Sequence, residues 1–296
     1  MKRILFIIVC LAIAGTQSLK AQPSIAALHH SGRVTLYSGA KLQTAIDKAV
    51  AGDTIYLSEG TFPGEIKIGE KICLIGAGEK TFMAGDLYIE DAVNDPIILL
   101  DGINILGTIR AYSCATLTIS QCKFIGYEYG SDGGNYPSET TIVRSYCTDY
   151  LYSGDALTVV NSKIKSMSNP GSGTFSHCNI GTIEGSNTNG HEMIFTNCII
   201  NSEKIGIDCF SCLFGPTTTY SFQMNCWKSK TDVLDENLDC VLTNMSGYMG
   251  NDGTVVGIMG GDTPYTLKPS APHVSEHKIE VDAENQKLNV TLTIEN

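Results

Sequence analysis

Between Tyr127 and Asp155 the chain gathers side chains suited to holding a sugar. Tyr127, Tyr129, Tyr136, Tyr146, Tyr150 and Tyr152 are six of its thirteen tyrosines. Glu128, Asp132, Glu139, Asp149 and Asp155 lie among them, with Arg144 on a strand-like stretch from Thr140 to Ser145. Aromatic rings stack on sugars, and carboxylates bind hydroxyls or calcium. The six tyrosines are therefore the expected ligand-binding residues. Calcium is the one cofactor the segment suggests, with Asp132 and Glu139 as its ligands. Arg144, Asp149 and Asp155 are the candidates for catalysis, Arg144 in the role of a lyase base. The bland alternative is a polar turn whose tyrosines pack flat on the surface.

A second set of reactive side chains points to structure rather than chemistry. Ten cysteines follow the first 21 residues: Cys73, Cys114, Cys122, Cys147, Cys178, Cys198, Cys209, Cys212, Cys226 and Cys240. Cys122, Cys178, Cys198 and Cys212 share one slot of a repeated pattern, where Ser162 and Thr243 also stand. That regularity predicts a buried ladder of free thiols acting as small apolar groups, rather than a disulfide framework. Inward strand positions cannot converge on one zinc ion. The residues just before the slot are Gln121, Asn161, His177, Asn197 and Ser211. Polar groups at one bend of successive turns can hydrogen-bond along the axis, and His177 is expected to belong to that ladder.

The pattern that positions these residues is apolar, any, apolar, any, polar, small, any, apolar. It reads Leu117-Ile119-Cys122-Phe124, Leu157-Val159-Ser162-Ile164 and Met193-Phe195-Cys198-Ile200. It returns, less regularly, from Ile98, Gly173, Ile207 and Leu238. Each copy is two short strands of period two joined by a bend, with the apolar side chains on one side. Such units bury a core only by stacking. In the Tyr127–Asp155 segment Ile142 fits the pattern, whereas Arg144 and Asp149 fall where apolar residues belong.

Composition agrees with a β-rich solenoid. Hydrophobic residues make up 43%, enough for a sizeable core, and charged residues only 17%. The net charge is −11, and the only arginines are Arg3, Arg33, Arg110 and Arg144. The clustered basic residues of a nucleic-acid footprint are missing, which excludes that partner. Residues 1–21 read as a signal peptide. Lys2 and Arg3 precede an apolar run from Ile4 to Ala14, with a cleavage site before Gln22. The run is too short for a membrane span, and an exported, soluble or surface-attached protein is expected. Residues 22–40 form a lead-in without clear periodicity. Lys41 to Ala51 reads as a helix with Leu42, Ala45, Ile46 and Ala49 on one face.

Leu42-Gln43-Thr44-Ala45-Ile46-Asp47, then Ala51 to Leu57, Gly60-Thr61-Phe62 and Leu74 to Gly78 resemble the entry segment of right-handed parallel β-helix proteins. That superfamily includes pectate lyases, polygalacturonases and pectin methylesterases. The resemblance is closest over residues 41–80 and looser to about residue 250. It implies an all-β, right-handed parallel β-helix of nine or ten rungs over residues 41–250, capped by the helix at its N-terminal end. Val255-Val256-Gly257-Ile258-Met259-Gly260-Gly261, followed by Pro264-Tyr265, resembles the closing segment of exported bacterial β-helix proteins of unassigned function, and residues 251–296 read as a C-terminal cap with a short β-hairpin. The superfamily's acid clusters are not recognisable here, and no carboxylate is clearly aligned with Arg110 or Arg144. The expectation is therefore a non-catalytic exported protein whose partner is a polysaccharide or cell-surface glycan. A polysaccharide lyase or hydrolase is the alternative, and a structural or adhesive solenoid the second.

Overall fold

The structure, a computed structural model, describes residues 24–90, 97–112, 116–129, 139–152, 157–168, 172–184, 193–202, 204–268, 273–282 and 287–295. The chain winds as a parallel β-solenoid. One sheet stacks Asp53–Leu57, Ile72–Ile75, Ile97–Asp101, Thr116–Ser120, Glu139–Val143, Leu157–Val160, Gly173–Ser176, Met193–Thr196, Lys204–Phe210 and Thr219–Met224. The facing sheet stacks Gly60–Phe62, Thr81–Met83, Asn104–Ala111, Lys123–Tyr129, Tyr146–Tyr152, Lys163–Ser168, Asn179–Glu184, Ile199–Ile200, Leu213–Phe214 and Trp227–Lys228. Period two sends Leu117, Ile119, Ile142, Val159, Phe175 and Phe195 inward, all buried. Phe175 and Phe195 stack with ring centroids 4.4 Å apart, a contact that contributes about 0.5–1.5 kcal/mol beyond its area.

The bend between the sheets is a repeated backbone device. Gln121, Arg144, Asn161, His177, Asn197, Ser211 and Asn225 all adopt the left-handed conformation, with φ between 46° and 56°. Asparagine and small polar residues tolerate that region best. The first six donate their backbone N–H to the next turn, among them Gln121 to Val143 O, Asn161 to Ser176 O and Asn197 to Phe210 O. The residue two places on then donates back to the previous turn, as Tyr146 does to Cys122 O and Leu213 to Cys198 O. Arg144 therefore occupies the bend, not an inward position, and residues 139–152 form a regular turn.

The small residue between them is held by its heteroatom. Ser145 Oγ accepts the N–H of Cys122 at 3.2 Å, and Ser162 Oγ that of Ser145 at 3.1 Å. Cys198 Sγ accepts from Cys178 N at 3.4 Å, and Cys226 Sγ from Cys212 N at 3.3 Å. The thiols thus do more than fill space: they satisfy amides that the bend withdraws from the sheet. All nine described cysteines are free. Burial pushes the Cys122 and Cys147 thiols up to about 12 and Cys198 well above its usual range, so each keeps its proton.

At the N-terminal end the helix Leu42–Lys48 buries Leu42, Ala45 and Ile46 in the core. It stops before the expected Ala51. The Asp53 carboxylate captures Val50 N–H at 2.9 Å, and Ala49 is already extended. The lead-in is an antiparallel hairpin, Ile25–His30 with Arg33–Ser38, turning at Ser31-Gly32, both of positive φ. Its first strand pairs with Asp53–Leu57.

After Trp227–Lys228 the chain runs back along the side of the solenoid, from residue 229 to residue 268. The Leu238–Met245 copy of the pattern lies in this stretch and is not a turn of the solenoid; Leu234 and Cys240 form an isolated antiparallel bridge instead. Val233, Leu234, Leu238 and Val256 pack on Ile199 and Leu213 as a second apolar cluster. The bend ladder holds the rest. Asn161 Nδ2 donates to Gly260 O at 2.8 Å, Gly257 N to Asn197 O at 2.7 Å, and Gln121 Nε2 to Lys268 O. A hairpin follows, His273–Asp282 with Lys287–Glu295. Among the described residues no helix is long and apolar enough to cross a membrane.

Cys198 tests this register. Cys198→Ser keeps the acceptor and should leave stability nearly unchanged, whereas Cys198→Ala orphans a buried N–H at about 1 kcal/mol. Cys198→Arg buries an unpaired charge and should cost about 4 kcal/mol or more, unfolding or aggregating the protein. Denaturant midpoints check the order; a soluble, fully stable Arg variant would contradict the inward placement.

Candidate functional site

Past the bend, the second-sheet strands shift register between Ile105 and Thr108, Phe124 and Gly126, and Cys147 and Tyr150. A bulge of this kind re-aims the side chains that follow. Beyond it the rows align again. Leu87, Ile109, Tyr127 and Leu151 point into the core. Lys67, Tyr88, Arg110, Glu128 and Tyr152 form one outward row, and Thr108, Gly126 and Tyr150 the row beside it.

This outward face carries a connected set of polar and aromatic groups. Arg110 sits between acids on the two flanking turns, with Nη2 3.3 Å from Asp86 and Nη1 3.4 Å from Glu128. Its side chain is 23% exposed. Burial opposes its charge, but Glu128 and Asp86 outweigh that effect and hold the guanidinium more firmly protonated than usual. Asp86 Oδ1 also accepts Thr108 N–H at 2.8 Å. Tyr150 donates its hydroxyl to Glu128 and lies 3.4 Å from Thr108 Oγ1. Its ring lies across Gly126, where a Cβ would come within 2.7 Å of it. Any larger residue at 126 would collide with the ring. Tyr88 stands between Lys67 and Arg110 and stacks on Tyr112 at 6.3 Å.

The sequence-predicted residues are dispersed by this arrangement. Tyr127 is in the core at 2% exposure, its hydroxyl 3.0 Å from Thr140 Oγ1. Tyr129 ends the strand Lys123–Tyr129. Tyr146 lies under the returning segment, with Lys163 Nζ 5.5 Å from its ring centroid, and Lys163 pairs with Asp239 at 2.6 Å and faces Tyr265. Arg144 is at the bend, six residues along the chain from Tyr150, and Asp149 is exposed in the bulge. Glu139 is exposed at the start of its strand. Tyr136, Asp132 and Asp155 lie outside the described residues. Of the described members of the set, Tyr150 and Tyr152 stand on the face built around Arg110. Asp86, Tyr88 and Tyr112 were missed, and Arg110 was named without its partners; the signal was the recurring outward-inward-outward triplet Asp86-Leu87-Tyr88, Thr108-Ile109-Arg110 and Tyr150-Leu151-Tyr152. Contrary to the sequence expectation, carboxylates are aligned with Arg110.

Among the described residues no group of three or more His, Cys, Asp or Glu side chains is gathered to hold a metal ion. No protein-family model, curated protein or solved structure matches the chain.

The contact between Tyr150 and Glu128 has a spectroscopic consequence. Burial and the Glu128 bond both push the Tyr150 phenol above its usual range. Glu128→Gln removes the second cause, so Tyr150 should ionise at lower pH than in the wild type. Ultraviolet titration against a Tyr150→Phe reference measures this; an unchanged midpoint would contradict the contact.

Proposed function

We propose that the protein is an exported glycan-binding solenoid whose ligand lies on the face around Arg110. The observation that carries this reading is the Tyr150 ring packed against Gly126 beside the Asp86–Arg110–Glu128 chain. A half-exposed ring offers a stacking surface for a sugar, and the neighbouring charged groups offer fixed donors and acceptors for its hydroxyls. Glu65, Asp86, Glu90 and Glu128 outnumber Lys67 and Arg110 there, which suits a neutral, hydroxyl-rich chain better than an anionic one. The charged start and apolar run of residues 1–21 support export. The likeness of residues 41–80 to pectate-lyase-like proteins supports a polysaccharide or cell-surface glycan as partner. A binding role is favoured over a lyase because Arg110, wedged between two acids, is held protonated, the opposite of what a base requires.

A glycan array followed by calorimetry on the best neutral hit tests the proposal. Tyr150→Ala should weaken binding by about 1–2 kcal/mol with little change in stability. Tyr146→Ala should do the reverse, lowering the melting temperature while affinity holds, because Tyr146 clamps the returning segment through Lys163. Equal affinity for wild type and Tyr150→Ala would remove the face from the account.

A further inference from the structure

We propose that Ser176, His177 and Asp252 form a nucleophilic site that accepts acyl groups from esters, independent of the glycan-binding face. Ser176 ends the strand Gly173–Ser176 on its outward side, half-buried. His177 follows in the left-handed bend at φ 52°, which turns its ring back towards the serine. His177 Nδ1 lies 3.1 Å from Ser176 Oγ. Nε2 lies 3.0 Å from Asp252 Oδ2, on the returning segment. Asp252 is fixed in turn by Thr254, whose N–H and hydroxyl both donate to Oδ1 at 3.0 Å. Nucleophile, base and orienting carboxylate are thus in sequence of contact, the arrangement by which such triads are recognised on unrelated folds.

The protonation states suit the chemistry. The His177 side chain is 6% exposed, and burial lowers its pKa against the pull of Asp252. The ring is therefore a neutral base near pH 7. Asp252 accepts the Nε2 proton, which leaves the Nδ1 lone pair facing the serine hydroxyl. Nε2 also lies 3.2 Å from Thr254 Oγ1 and 3.3 Å from Asn197 Nδ2, and that amide is engaged with Asn251 Oδ1 at 2.9 Å. The ladder itself does not require a histidine. Asn161 and Asn197 hold the returning segment from the same bend position, and neither can serve as a base.

The reaction balances without a cofactor. Ser176 Oγ attacks the ester carbonyl carbon, its proton passes to His177 Nδ1, and the π pair moves to the carbonyl oxygen. When the carbonyl re-forms, the alcohol leaves with the proton from Nδ1. Water then attacks the acyl-serine with the same base, returning free serine and a carboxylic acid. The net change is ester plus water to acid plus alcohol.

The test treats the full chain with a fluorophosphonate probe and with p-nitrophenyl acetate, then maps adducts by peptide mass spectrometry. One adduct at Ser176 is expected in the wild type. It should be absent in Ser176→Ala and in His177→Asn, a substitution the bend accommodates at Asn161 and Asn197. Asp252→Asn should slow labelling roughly tenfold or more. An unlabelled Ser176 in the wild type overturns the proposal, as does equal labelling of a folded His177→Asn variant. Because glycan affinity resides on another face, Ser176→Ala should bind glycan as the wild type does.

Discussion

From residue 121 onward the described turns of the solenoid rest on two adjacent residues at one bend. The first is forced into the left-handed conformation, and the second must be small and carry an oxygen or sulfur. Gln121-Cys122, Arg144-Ser145, Asn161-Ser162, His177-Cys178, Asn197-Cys198, Ser211-Cys212 and Asn225-Cys226 repeat the pair. The left-handed residue aims its N–H at the following turn, and the small residue's heteroatom takes up an amide of the turn before. A one-residue slip would bring an inward side chain to the surface and orphan both amides. Register is therefore specified turn by turn from Gln121 onward.

The same bend organises the C-terminal third of the chain. Left-handed residues project their side chains outward at one longitudinal seam. Asn161 and Asn197, with Gln121 further up, hydrogen-bond to the segment that returns along it, as does Asn179 at the start of the next strand. Apolar contact reinforces this, since Val233, Leu234 and Val256 cover Ile199 and Leu213. Lys163, itself buried beside Tyr146 and Tyr265, adds an ion pair with the exposed Asp239. Ordering some forty residues costs conformational entropy, and these contacts must offset it. One product is that Asp252 is carried to His177.

The architecture was legible because its period is two and its small slot recurs. Cys122, Ser162, Cys178, Cys198 and Cys212 were placed correctly, since size and spacing alone locate them. Three features were harder to read. Ile199-Ile200 and Leu213-Phe214 carry adjacent apolar residues, which mean burial on both sides, but a period-two reading expects only one. Ser31-Gly32 signals a hairpin turn, yet the flanking strands alternate weakly. The Arg110 face depends on bulges after Ile105, Phe124 and Cys147, and a bulge breaks the spacing that would tie Asp86 to Arg110 and Glu128. Density of tyrosines was a poor guide to the site. Tyr127 and Tyr146 come from the same stretch as Tyr150, but alternation and the returning segment send each to a different environment.

The left-handed bend is tested most directly at Ser211, where glycine and alanine should rank oppositely according to backbone conformation. Denaturant unfolding of Ser211→Gly and Ser211→Ala compares them with nearly the same side-chain volume. At φ 51° the glycine variant should be the more stable by about 1 kcal/mol, because it alone escapes the Cβ clash of the left-handed region. If alanine proves the more stable by about 0.5–1 kcal/mol, as in an ordinary strand, the bend is not left-handed and the register built on it fails.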